Sequence, residues 1–129
     1  MGENGKTVAT LERNMSQPTR PKIIDHPLYL LLRDGSVEEF NRQRTPVTPL
    51  DFSGCNFRGI DLRGVDVAGV DFTDSYFRGA DLRGVDFRES RLEGASLATA
   101  LVSGCYFPSE LSADEILLSL ERGTRLRYS

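Results

Sequence analysis

The decapeptide FRGIDLRGVD, residues 57–66, returns as FRGADLRGVD at residues 77–86. Aligning residues 51–70 with 71–90 leaves 11 of 20 positions identical. A shorter period of 5 runs inside that period of 20. Phe52, Phe57, Leu62, Val67, Phe72, Phe77, Leu82, Phe87, Leu92, Leu97, Val102 and Phe107 recur at every fifth residue without a gap. Two residues before each stands a second series of mostly small or apolar residues, from Leu50 and Cys55 to Ala100 and Cys105. A helix repeats every ~3.6 residues and a strand every ~2, so neither has this period. A chain that turns a corner every fifth residue does, and 20 residues then form the four sides of one coil. Glycines at 54, 59, 64, 69, 79, 84, 94 and 104 fall at those corners, where a backbone able to take positive φ turns tightly. Equivalent side chains then stack in four internal columns: Phe52/Phe72/Leu92, Phe57/Phe77/Leu97, Leu62/Leu82/Val102 and Val67/Phe87/Phe107.

The units IDLRG, VDVAG, VDFTD, ADLRG and VDFRE resemble the A-(D/N)-L-x-x pattern of the pentapeptide-repeat family, through 12 repeats at residues 50–109. That resemblance implies an all-β solenoid, a right-handed quadrilateral β-helix of about three coils. Its centre residue and the residue two before it would point inward. Val67 and Val102 are small for centre positions, and Tyr76, Arg91, Ser96, Leu101 and Tyr106 replace the usual Asp or Asn. Most of these departures fall late, so the last coil is expected to be the least regular, as terminal repeats are. Cys55 and Cys105 lie two and a half coils apart, ~12 Å at strand spacing. A disulfide needs Cα atoms within ~7 Å. Two buried free thiols are expected, without the basic, exposed surroundings of a reactive cysteine.

The flanks read as short α-helices capping both ends. Residues 1–22 form a polar N-terminal arm, 23–49 a helical N-terminal cap, and 110–129 a C-terminal helix and tail. Pro27 suits a helix start and Gly35 its end. Ser36 and Glu39 have capping-box spacing for a second helix, about 37–43, and TPVTP reads as an extended lead-in. VEEFNRQR resembles the short helix that precedes many pentapeptide arrays, with Phe40 in place of its Trp; Phe40 is read as the plug of the open first coil. Past the repeats, Ser112 and Glu115 form another capping box, and Ile116, Leu117 and Leu120 share a face suited to covering the last coil. Leu118 points elsewhere, either exposed or in a dimer contact, since the resemblance implies pairing through this end.

No catalytic constellation is visible. His26 is the only histidine and precedes a proline, no serine has a recognisable histidine partner, and the glycines never join a lysine in a phosphate loop. The spacing of the Asp residues is that of the repeat, so they are read as structural. Neither a catalytic residue nor a metal or cofactor site is expected. Net charge is −3, distributed as +2 over 1–22, −1 over 23–49, −3 over 50–109 and −1 over 110–129. That offers no basic surface for direct nucleic-acid binding. The longest apolar run, Leu28–Leu32, cannot span a bilayer, the N-terminus lacks a secretory apolar segment, and Lys6 stands where myristoylation wants Ser or Thr. A cytoplasmic chain without membrane attachment is expected.

Outer positions suggest where a partner would bind. Asp61, Arg63, Asp81 and Arg83 should form a mixed-charge ladder. On the neighbouring side Arg58 and Arg78 stack without an Asp, beside Asn56 and Tyr76. This pair, extended by Arg88, is the candidate site for an acidic group on a protein partner. The expected function is a non-enzymatic protein-interaction or scaffold module, with a homodimer through the C-terminal helix as a further possibility. The alternative implied by the family is a DNA-mimicking inhibitor of DNA gyrase. It fits less well: three coils span only ~14 Å against ~34 Å for a DNA turn, and six array arginines break up the negative field.

Overall fold

A computed structural model describes residues 20–45 and 49–129. Most of the polar arm and residues 46–48 of the TPVTP lead-in lie outside the described residues. The chain runs through helices α1 (Pro27–Arg33) and α2 (Val37–Gln43), then the repeat array with strands β1 (Leu50–Asp51) and β2 (Val70–Asp71), then α3 (Ala113–Arg122).

Two kinds of hydrogen bond build the array. At each corner an amide donates to the carbonyl three residues earlier, as Ser75 to Phe72 (2.9 Å), Ala80 to Phe77 (2.9 Å) and Val85 to Leu82 (3.0 Å). Between layers, parallel bridges join residues 20 apart: Leu50↔Val70, Asn56↔Tyr76, Asp61↔Asp81, Asp71↔Arg91, Tyr76↔Ser96, Asp81↔Leu101 and Asp86↔Tyr106. The third residue of nearly every corner has positive φ. Glycine supplies it without steric cost at Gly84 (φ 78°), whereas Asp74 (61°) and Thr99 (56°) hold it despite a side chain. At Gly94 a side chain is excluded twice over, since φ is 82° and a Cβ would collide with the Asp74 carboxylate.

The two inward series fill the interior. Phe52, Phe57, Phe72, Phe77, Leu82, Leu92 and Leu97 are fully buried, and Leu62, Val67 and Phe87 nearly so. Phe57 and Phe77 stack at 5.3 Å and 12°, and Phe87 and Phe107 at 6.0 Å and 15°, while Phe72 meets Phe77 edge-on at 5.3 Å. Val102 and Phe107 are only partly buried. Cys55 is buried and Cys105 half-buried, both free; the expectation of two buried thiols fails at Cys105 because no further layer lies over it.

Regularity breaks early in the array rather than late. The bridges of residues 91–106 are intact, whereas none joins Asp66 to Asp86. The small Val67 is the centre of that side, and α2 stitches it together. Asn41 Oδ1 accepts from the Asp66 amide (2.9 Å), and its Nδ2 donates to the Gly64 carbonyl (2.9 Å). Arg44, 4% exposed, donates to the carbonyls of Asp66 (2.7 Å) and Ala68 (2.5 Å).

The ends are covered unequally. At the start, Tyr29 packs on Phe52 and Phe57 and donates its hydroxyl to the Asn56 carbonyl (2.7 Å). Phe40 is fully buried, 6.4 Å from Phe52, and Leu32 is buried with it. His26 caps α1, its Nδ1 accepting from the Leu28 amide (3.1 Å). The Ser36–Glu39 capping box does not form: Ser36 makes no side-chain cap, its amide donates to the Leu31 carbonyl (2.8 Å), and Glu39 turns outward to Arg42 and Gln43. At the other end, Ser112 Oγ accepts from the Glu115 amide (3.1 Å), and Gly123 closes α3 at φ 72°. Ser119, not Leu117, is buried beneath α3, because its hydroxyl accepts the Leu97 amide (2.8 Å); Leu117 is 52% exposed. Leu126 donates to the Ala95 carbonyl (2.8 Å) and accepts from Gly94 (2.7 Å), and Tyr128 Oη accepts from Leu92 (2.8 Å). No described residue caps the amides of Val102, Gly104 and Phe107 in this way.

Two substitutions test this packing. Phe77→Ala removes a ring that touches three others and should cost ~3–5 kcal/mol. Gly84→Ala meets no neighbour but strains a left-handed corner and should cost ~1–2 kcal/mol. Urea denaturation reads both, and equal losses would contradict the packing described.

Candidate functional site

The residue before each centre sets the chemistry of the outer surface. Asp51, Asp61, Asp66, Asp71, Asp81 and Asp86 each accept, through Oδ1, the amide two residues ahead, at 2.9–3.3 Å. These carboxylates are part of the corners, as local Asx turns are. Where the amide donor is arginine, its guanidinium also folds back on the same carboxylate. Arg63 reaches Asp61 (2.8 Å), Arg83 reaches Asp81 (2.7 Å) and Arg88 reaches Asp86 (2.8 Å). Arg63 also lies 3.4 Å from Asp81, completing the mixed-charge ladder on that side. Hydrogen bonds from the paired arginines hold the carboxyls of Asp61 and Asp86 down at about 2, and that of Asp81 below its ordinary value.

The side carrying Asn56, Tyr76 and Ser96 breaks this rule. Asn56 accepts the Arg58 amide (3.0 Å) and Nε (3.1 Å), but it is neutral. Tyr76 has no carboxylate to offer, and Arg78 has no hydrogen bond or ion pair from its side chain to the described residues. After Gly123 the chain pairs antiparallel to this side through Ser96↔Arg125. Arg125 lies 5.2 Å over the Tyr76 ring and donates to the Tyr76 hydroxyl (2.9 Å) and the Gly94 carbonyl (2.8 Å). Asp74 is 3.8 Å from it. The result is a cavity of about 290 Å³ lined by Arg58, Arg78 and Arg125 with Pro21, Tyr76 and Ser96. Arg33 of α1 reaches the same side, 3.5 Å from the Asn56 carbonyl.

Arg88 does not join this group. It sits on another side, bound to Asp86 and 4.4 Å over the Tyr106 ring, and Arg125 occupies the place beside the Arg58–Arg78 pair instead. Arg125 lies outside the repeat, so the period gives no account of it. The alternation Arg125-Leu126-Arg127-Tyr128 after Gly123 was the available signal for an added strand. A larger recess of about 950 Å³ lies between α2 and the Asp61–Gly64 corner. Arg42 pairs with Glu39 and Arg63 with Asp61 there, so both of its arginines are already matched. Leu118 is 38% exposed on α3. Burial pushes the Cys55 thiol up to about 11 and raises Cys105, whose Sγ–H donates to the Leu82 carbonyl (2.8 Å). Neither thiol is primed as a nucleophile. No group of His, Cys, Asp and Glu among the described residues could hold a metal ion, and no described helix is long and apolar enough to cross a membrane.

A period of five with layers in register at 20 residues defines a repeat solenoid of the β-helix type. The family model described as Pentapeptide repeats matches residues 51–88 and 68–104 of the chain, in 8 copies. No curated protein and no solved structure matches the chain.

The Asp–Arg corners predict an acid limb of stability. The Asp61 and Asp86 carboxyls titrate at about 2 when folded, below the ~3.9 of an unfolded Asp. Their contribution is therefore complete above pH ~4 and is lost as pH falls towards 2. Melting temperature should drop over that interval, less steeply in Arg63→Ala/Arg88→Ala, and the difference should shrink in high salt because both pairs are exposed. An acid limb unchanged by the double substitution would contradict this account.

Proposed function

We propose that the chain is a non-enzymatic protein-interaction module that binds an acidic group of a partner protein on its arginine-lined side. One observation carries this reading. Arg63, Arg83 and Arg88 are neutralised by their own corner carboxylates, whereas Arg58 and Arg78 converge with Arg125 on one cavity, and among the described residues no acid pairs with the first two. The scaffold in this reading is a right-handed quadrilateral β-helix of three coils over residues 50–109, with 23–49 and 110–129 as its caps. Support comes from the bridges that link residues 20 apart, from Leu50↔Val70 to Asp86↔Tyr106. Such a scaffold presents side chains at fixed spacing, so little ordering entropy opposes binding. The two free thiols suit a reducing, cytoplasmic compartment. A homodimer through the C-terminal end is supported by exposed Leu117 and Leu118 and by the uncovered rim at Val102 and Phe107.

Cross-linked capture from a lysate, with wild type beside Arg58→Ala/Arg78→Ala and Arg83→Ala, tests the module. A partner should be retained by wild type and Arg83→Ala and lost with the double variant. Charge-assisted hydrogen bonds of this kind contribute ~1.5–3 kcal/mol each, so the weakening should exceed about tenfold. Equal capture by all three proteins would remove the arginine side from the interaction.

A further inference from the structure

The cavity has a charge and a size that restrict what it can hold. Three arginines line it, and among the described residues the one carboxylate in ion-pair reach of them is Asp74, 3.8 Å from Arg125. Among the described residues, no carboxylate pairs with Arg58 or Arg78. Arg58 and Arg78 are equivalent residues of adjacent layers, linked through the Asn56↔Tyr76 bridge, so their backbones are held at strand spacing, ~4.8 Å. Like charges held that close repel, and the ladder keeps the backbone from relieving it.

One carboxylate would balance only one of the two charges. A phosphate monoester carries about −1.5 to −2 charges and three acceptor oxygens, enough to engage both guanidinium forks. The remaining polar groups do not compete for it. Ser96 donates its hydroxyl to the Gly123 carbonyl (3.2 Å), and Arg125 is held by Gly94 and Tyr76, so it forms a fixed wall. Volume decides between a free metabolite and a side chain. About 290 Å³ lies at the bottom of the ~300–1,000 Å³ range of small-molecule sites, which suits a phosphoryl group and the few atoms carrying it.

We infer that the Arg58–Arg78–Arg125 cavity is a phosphate-monoester site that takes a phosphorylated side chain of the partner protein. This rests on the interaction-module reading and adds a condition to it: the partner binds when phosphorylated. Arg78, whose guanidinium is unengaged among the described residues, is the principal ligand. Arg58 is the second; among the described residues its side chain is engaged through Nε alone, by Asn56 Oδ1 (3.1 Å). Arg125 is a positioning residue for the Tyr76 ring.

The test titrates the full chain with phenyl phosphate, inorganic phosphate and acetate at constant ionic strength, followed by NMR of the arginine Nε–H signals. Both phosphates should saturate and shift Arg78 and Arg58, with acetate far weaker. Arg78→Ala should weaken phosphate about tenfold or more. Arg78→Lys should recover only part of the loss, because a point charge replaces a planar fork. Arg88→Ala should change nothing. Acetate binding as tightly as phosphate, or phosphate binding unaffected by Arg78→Ala, overturns the assignment. Capture from lysate with and without phosphatase treatment separates this inference from the reading beneath it. Phosphatase-sensitive capture that needs Arg78 is the expected result. Capture that needs Arg78 but survives phosphatase overturns the phosphate assignment and leaves the interaction module standing. Phosphate binding in the cavity with no phosphatase-sensitive capture overturns the protein source.

Discussion

The five-residue corner disposes of every backbone amide, and the rest of the molecule depends on that. In the unit Ala80–Gly84, Ala80 donates to the Phe77 carbonyl at the corner and Asp81 to Ile60 in the layer before. Leu82 and Gly84 donate to Leu101 and Ser103 in the layer after. The fifth amide, Arg83, faces outward, where no layer can reach it, and the Asp81 carboxylate accepts it (3.3 Å). Backbone donors must find acceptors, and here the accounting closes within one unit and its two neighbours. It also explains why the period is rigid. Adding or removing one residue would misplace four main-chain bonds and swap an inward side chain for an outward one.

The Asp before the centre therefore has two consequences. It completes the corner, and it neutralises whatever cation stands two residues on. Replacing it with Tyr76 removes both together. The arginine side thus arises from a local exception to the corner chemistry, and it needs no general excess of positive charge. A net charge of −3 says nothing about it, because a period of 20 sorts charge by side. Asp66, Asp86 and Glu89 gather around a small acidic recess, Asp61, Arg63, Asp81 and Arg83 cancel, and Arg33, Arg58, Arg78 and Arg125 share a third side.

Periodicity made the interior legible, since an inward series is a property of spacing alone. The phenylalanine columns and the register of 20 could be read from the letters for that reason. Side-chain choices outside the array could not. Ser36 and Glu39 have capping-box spacing, but Glu39 finds Arg42 and Gln43 closer at hand than the helix start. Leu117 fits an apolar helical face, yet the rim beneath α3 is made of unpaired amides, so it takes the hydroxyl of Ser119 instead. The array's irregular side falls at Val67, where Arg44 enters from the end of α2 and donates to the carbonyls of Asp66 and Ala68. Arg125 reaches the cavity only because Gly123 turns the tail back along Ser96. Each of these is set by a contact between distant segments, which spacing does not encode.

Closure of the two rims follows from the same accounting. An end layer has amides or carbonyls with no neighbour, and each must be met by something other than another repeat. At the first layer Tyr29 Oη, Asn41 and Arg44 do this, and at the last layer Ser119, Leu120, Leu126 and Tyr128 serve residues 92–99. The capping groups of the last layer are held by α3 and the strand that returns after Gly123. The same strand carries Arg125 to the cavity, so terminating the solenoid and completing the arginine side are one structural event. Loss of the tail would open the rim at Ala95 and dismantle the cavity wall together. Any partner that grips Arg125 would, by the same coupling, stabilise the end of the array it binds beside.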